Sequence, residues 1–349
     1  MEQETEKTNE RTGYLDALRA VSICAVILVH LSATGYQIAP EGSAARAICW
    51  CYDLLSRFAV PVFVMISGAI FLNTERTVTF KTLLRRHIPR LLLTFLLWSM
   101  GFALLQSAGE QPLFSAAYWL SVLRKTVTGH YHMWYLYMIM GLYLAAPFLR
   151  PLAANEKLLK QFILISFLLG SVPQLLYLIP AAGAVVREVV EKADISFFAG
   201  YAGYFCLGYY LHSAQISKRS VAALAALAAV LMTAMAVLGV QAGLTEPLLQ
   251  EKMPHIFVYS AAVFLTFKEY AGRIRRSAAL HKLIEKLAFC SLGMYLVHPA
   301  VNFILRAFGL YALTFPPLLC IPFCGVLVFV ISFAIAALMK KCPLLKRLV

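Results

Sequence analysis

Three ionisable residues interrupt the apolar run YLDALRAVSICAVILVH, Tyr14 to His30: Asp16, Arg19 and His30. Asp16 precedes Arg19 by three residues, a spacing at which two side chains on one helix face can pair. Arg19 and His30 are eleven residues apart. On an α-helix that separation ends about 20° past three full turns and ~16 Å along the axis, so both project from one face at different depths. An imidazole titrates near neutrality and is the commonest general base, which makes His30 the candidate for proton transfer. A guanidinium offers a planar fork of donors suited to phosphate or carbonyl oxygens, and Asp16 would neutralise and orient it.

Composition decides what must position these groups. The chain has 349 residues, 61% hydrophobic and 14% charged, with mean hydropathy +0.74. A soluble domain holds roughly 45–50% apolar and about 25% charged residues, so this is an all-α, polytopic membrane protein. An Asp or Arg at the centre of a membrane helix costs roughly 2.5–3.5 kcal/mol, so such residues need a partner or a task. The net charge of +14 fits cytoplasmic loops rather than nucleic acid. The eight cysteines contain no Cys-x-x-Cys pair and sit mostly in apolar runs, so neither a disulfide framework nor a metal site is indicated.

Apolar stretches of spanning length predict ten helices, at about 14–34, 47–72, 88–107, 132–149, 161–180, 196–212, 220–240, 254–268, 286–306 and 314–339. They form one membrane domain over 14–339, between short tails at 1–13 and 340–349. With the N-terminus inside, cytoplasmic segments carry 22 Lys and Arg and outer loops carry 7, which predicts both termini in the cytoplasm. Arg275 is then expected inside, and the loop at Gly109–Gln111 outside.

This topology sorts the remaining intramembrane polar groups by depth. Arg57 of the second helix, His132 of the fourth and His298 of the ninth fall at the outer level of His30. If their helices adjoin, they line one cavity with it. His132 and His298 also suit interfacial anchoring beside aromatics. Ser67, followed by Gly68, reads first as a close helix contact. At the inner end of the third helix, TFKTLLRRHIPR clusters Lys81, Arg85, Arg86, His87 and Arg90. Positive-inside topology accounts for such a cluster, and a polyanionic cytoplasmic ligand would fit it equally.

The pattern LDALR followed by His30, with VPVFVMISGAIF, RRHIPRLLLTFLLWS, HMWYLYMIMGLYLAAPFLR and SLGMYLVHP in order, resembles the acyltransferase-3 family of membrane acyltransferases. The second and fourth helices are most similar to the branch containing the enterobacterial common antigen O-acetyltransferase. One departure is ALRA where glycine-leucine-arginine-glycine is common, a mild exchange. The resemblance implies ten spanning helices and an acyl-CoA donor, acetyl-CoA foremost, arriving from the cytoplasm. It implies an acceptor hydroxyl on an envelope glycan, no metal, and Arg19 and His30 as the key functional pair.

On that footing Arg85, Arg86 and Arg90 are expected to hold the donor phosphates, with Arg19 deeper and fixed by Asp16. Arg57, His132 or His298 would serve the oxyanion or the acceptor. His30 would act as base or carry the acyl group transiently. The chain has no appended hydrolase-like domain of the kind found in some relatives, so the membrane domain is expected to complete transfer alone. The alternative is a transporter or flippase for an envelope lipid or small anion, against which stands the lack of inverted repeats.

Overall fold

A computed structural model describes residues 2–74, 79–193, 200–243, 245–271, 277–343 and 345–349. Arg275 and the first residues of the sixth predicted helix, 196–199, lie outside the described residues. All regular structure among the described residues is helical. The principal helices are α1 (Glu2–Ile38), α2 (Ala44–Ser56), α3 (Ala59–Phe71), α4 (Ile88–Glu110) and α5 (Ala116–Thr128). They continue with α6 (Trp134–Ala154), α7 (Glu156–Gly170), α8 (Pro180–Lys192) and α9 (Ala202–Ser213). The last are α10 (Lys218–Ala242), α11 (Pro254–Glu269), α12 (Ala278–Ala307) and α13 (Pro317–Lys341).

Caps set several of these starts. Ser43, Ser115, Asn155, Ser217 and Ser277 each accept a backbone N–H of the first turn, which satisfies a donor the helix itself cannot. Among the described residues, eight helical segments are long and apolar enough to cross a membrane, with α2 and α3 counted as one. The sixth and eighth predicted spans are α9, with 12 residues, and α11, with 16. At 1.5 Å per residue both fall short of a hydrocarbon core of about 30 Å. The helices α5 and α8 interrupt what the hydropathy pattern leaves as loops.

The central element is α1, which packs against α2, α3, α11, α12 and α13. The helices α3 and α9 cross at backbone contact through two glycines. A Cβ on Gly68 would lie 1.8 Å from the Phe205 carbonyl oxygen, and one on Gly208 would lie 2.0 Å from that of Met65. Ser67–Gly68 is thus a helix-crossing point, as its small residues suggest. Basic side chains close two helix ends. Arg150 donates to the carbonyls of Phe71 and Asn73, both at 2.9 Å, beyond α3. Lys268 donates to those of Leu211, His212 and Ala214 at 2.7–2.8 Å, at the end of α9.

Candidate active site

Two prolines shape the part of the site around His30. Pro61 has no N–H for the carbonyl of Arg57, and its ring would clash with that carbonyl in a continuous helix. The second predicted span accordingly breaks at Arg57–Phe58 and resumes as α3. At this break Arg57 is held by two carboxylates. Its Nε and Nη2 donate to the two oxygens of Asp53, at 2.6 and 3.0 Å, and Nη1 donates to Glu251, at 3.3 Å. Asp53 is buried, and the ion pair is bidentate, the geometry in which desolvated charges are best compensated. Glu251 is fixed in turn, because Tyr204 donates to its main-chain carbonyl, and the Tyr201 hydroxyl lies in the field of its carboxylate.

Pro299 likewise frees a carbonyl on α12, which continues through it. It cannot donate to the carbonyl of Tyr295, four residues earlier. His298 Nδ1 takes that place at 2.7 Å. Donation there makes Nδ1 the protonated nitrogen of a neutral ring and leaves Nε2 as an acceptor. Nε2 is buried with no hydrogen-bond partner. A neutral His298 in this tautomer presents an acceptor nitrogen, Nε2, and no second N–H.

Four histidines, His30, His130, His132 and His298, form one cluster. The ring of His30 stacks on His298, with centroids 5.1 Å apart, and meets Tyr131 edge-on at the same distance. His132 lies edge-on to His298 at 5.6 Å. Its Nδ1 is 2.8 Å from Nδ1 of His130, and its carbonyl accepts the Tyr295 hydroxyl. His132 Nε2 is buried and unpartnered like that of His298. His30, Arg57 and His132 line a cavity of about 90 Å³, together with Val26, Val29, Ser56, Ala59, Val60, Trp134, Tyr135, Glu251 and Tyr295. His132 lies in the turn before α6, and His298 packs on His30 and His132 without being part of the lining, so the cavity gathers His30, Arg57 and His132 of the four groups expected there.

Towards the opposite end of α1, Arg19 Nη1 and Asp16 pair at 2.5 Å. Glu285 and His281 of α12 contribute to the electrostatic surroundings of Asp16. Between the two ends runs a line of rings. His87 lies edge-on to Phe71, which stacks on Tyr143 at 4.1 Å. Tyr143, Tyr135 and Ser67 are electrostatic neighbours, in the field of Arg19. Tyr135 lies 5.7 Å from Tyr295, and Tyr295 lies 5.2 Å from His132. Arg85 and Arg86, beside His87 on a π-turn at Leu83–His87, are exposed. Arg90 is placed differently: it donates to the Val349 carbonyl at 3.2 Å, an oxygen that also accepts from Lys340.

The model of the acyltransferase-3 family, an acyltransferase domain, matches residues 12–337. This chain belongs to the acyltransferase-3 family. Membership makes it a membrane acyltransferase, of a family that generally O-acylates carbohydrates. Neither curated proteins nor solved structures give a match. Among the residues that the family's match encloses, Asp53, His130, Tyr131, Tyr135, Glu251 and Tyr295 join the site without having been singled out from sequence. Asp53 stands four residues before Arg57, a pairing as readable as that of Asp16 with Arg19. His130 is half of a His-x-His pair. Glu251 carries no local signal, since it reaches Arg57 from the loop before α11.

Proposed function

We propose that this chain is a multi-pass O-acyltransferase of the cell membrane that moves an acyl group from cytoplasmic acyl-CoA to a hydroxyl of an envelope glycan. In this reading ten segments span the bilayer and both termini are cytoplasmic. The likeness to the enterobacterial common antigen O-acetyltransferase branch favours acetyl-CoA as donor and a polysaccharide as acceptor. The observation that carries the reading is the meeting of His30 with Arg57 and His132 at one cavity, joined by the line of rings to the basic turn at Arg85 and Arg86. A one-sided binding pocket would need no such link.

His30 acts as general base. Its imidazole takes the proton of the acceptor hydroxyl, and the oxygen attacks the thioester carbonyl. The carbon–sulfur bond breaks, and the leaving thiolate recovers the proton from the imidazolium, giving ester and free CoA thiol. Such proton transfer contributes typically 10²–10⁴ in rate. Arg85 and Arg86 hold the nucleotide phosphates, and Arg19, fixed by Asp16, holds the donor deeper. Arg57 and His132 orient the acceptor. The decisive experiment supplies acetyl-CoA to sealed inside-out membranes and measures thiol release together with acetylation of envelope glycans by mass spectrometry. Thiol release and acetylation that both need His30 support the reading. Absence of both, with anion or lipid transport instead, overturns it.

A further inference from the structure

The cavity at His30 has a mixed lining. His30, Ser56, Arg57, His132 and Glu251 bring polar groups, and Val26 and Val29 of α1 with Ala59 and Val60 at the start of α3 bring apolar ones. We infer that the size of this cavity limits the transferred group to acetyl, an inference that rests on the acyltransfer reading above. The volume is about 90 Å³. An engineered apolar cavity of about 150 Å³ holds benzene, with six carbon atoms, so this space takes about three or four heavy atoms. Acetyl has three. Butyryl, with five, exceeds it while an attacking oxygen must also approach.

The lining has little freedom to yield. Val26 and Ala59 are buried, and α1 is packed on five helices. The helix α3 is held against α9 by the backbone contacts at Gly68 and Gly208. Close-packed interiors do not expand to admit extra methylenes without cost. Val29 and Val60 become the specificity-determining residues, because both line the space and are only half-buried. Trimming them enlarges the chamber with less risk to the core than trimming Val26.

The test uses purified wild type in liposomes that contain extracted envelope glycan, with acetyl-, propionyl- and butyryl-CoA compared by thiol release and by the mass of the glycan. Wild type is expected to use butyryl-CoA at least tenfold less well than acetyl-CoA in kcat/KM. Val29→Ala and Val60→Ala are expected to raise the butyryl-to-acetyl ratio about tenfold, and Ala59→Val to lower propionyl use. Comparable use of acetyl- and butyryl-CoA by wild type overturns the inference and leaves acyltransfer standing. An unchanged ratio in both folded alanine variants overturns it too. If wild type uses no acyl-CoA at all, the parent reading falls and takes this inference with it. Should one alanine variant fail to fold, the wild-type donor series decides alone.

Discussion

The imidazole planes of His30 and His298 are inclined by only 27° with centroids 5.1 Å apart, a stack between α1 and α12. The ring of His298 is locked by its bond to the carbonyl that Pro299 leaves without a helical donor. One face of His30 is thereby fixed by a residue whose own orientation comes from a proline.

That lock predicts a separation of activity from stability. Pro299→Ala returns a backbone N–H to the Tyr295 carbonyl and frees His298 Nδ1. Transfer should fall about tenfold or more while the thermal midpoint of the purified protein holds or rises. Full activity in Pro299→Ala would show that the tautomer of His298 is immaterial.

His30→Gln keeps hydrogen-bonding capacity but cannot accept a proton near neutral pH. It should abolish acyl transfer while leaving the protein folded and able to bind acyl-CoA. His30→Ala should be equally inactive. Turnover and donor binding measured on the same preparation check both, and wild-type-like transfer by the glutamine variant would refute the base assignment.

The three-residue ion cluster predicts unequal losses. Asp53→Asn removes the bidentate partner of Arg57 inside the bundle and should destabilise by about 1–3 kcal/mol. Glu251→Gln removes one charge contact at 3.3 Å and keeps the size of the side chain, so its stability cost should be under about 1 kcal/mol. Thermal unfolding in detergent compares the two, and equal losses would contradict the geometry.

Gly208→Ala and Gly68→Ala each place a methyl against backbone rather than a movable side chain. Each should cost at least ~1–3 kcal/mol, since the crossing of α3 and α9 must open. Gly101→Ala, where an added Cβ meets nothing within 4 Å, serves as the control and should be neutral or slightly stabilising.

At the basic turn, Arg85→Ala with Arg86→Ala should weaken acyl-CoA binding, and rising salt should weaken wild-type binding similarly, because exposed phosphate contacts are screened. Arg90→Ala should act mainly on the attachment of the segment ending at Val349, whose carbonyl it shares with Lys340. Donor titrations at two ionic strengths separate the two. Unchanged donor affinity in the double variant removes Arg85 and Arg86 from the donor site.

The all-helical membrane class was legible from sequence because hydropathy over one turn after another is a local property. The pairing of Asp16 with Arg19 was legible for the same reason, since both lie on one helix at a fixed spacing. Asp53 and Arg57 obey that rule too, and only the assumption of an unbroken second helix hid the break that Pro61 enforces between them and α3. The helices α5 and α8 escaped because 13-residue helices with one polar face leave no spanning signal. What only the tertiary structure decided is which helices touch. His30 meets His298, and Glu251 reaches Arg57, because α1 packs on α12 and because α3 is pinned to α9 through Gly68 and Gly208. Those contacts depend on side-chain volumes and backbone approach between segments far apart in the chain, which no single helix's periodicity encodes.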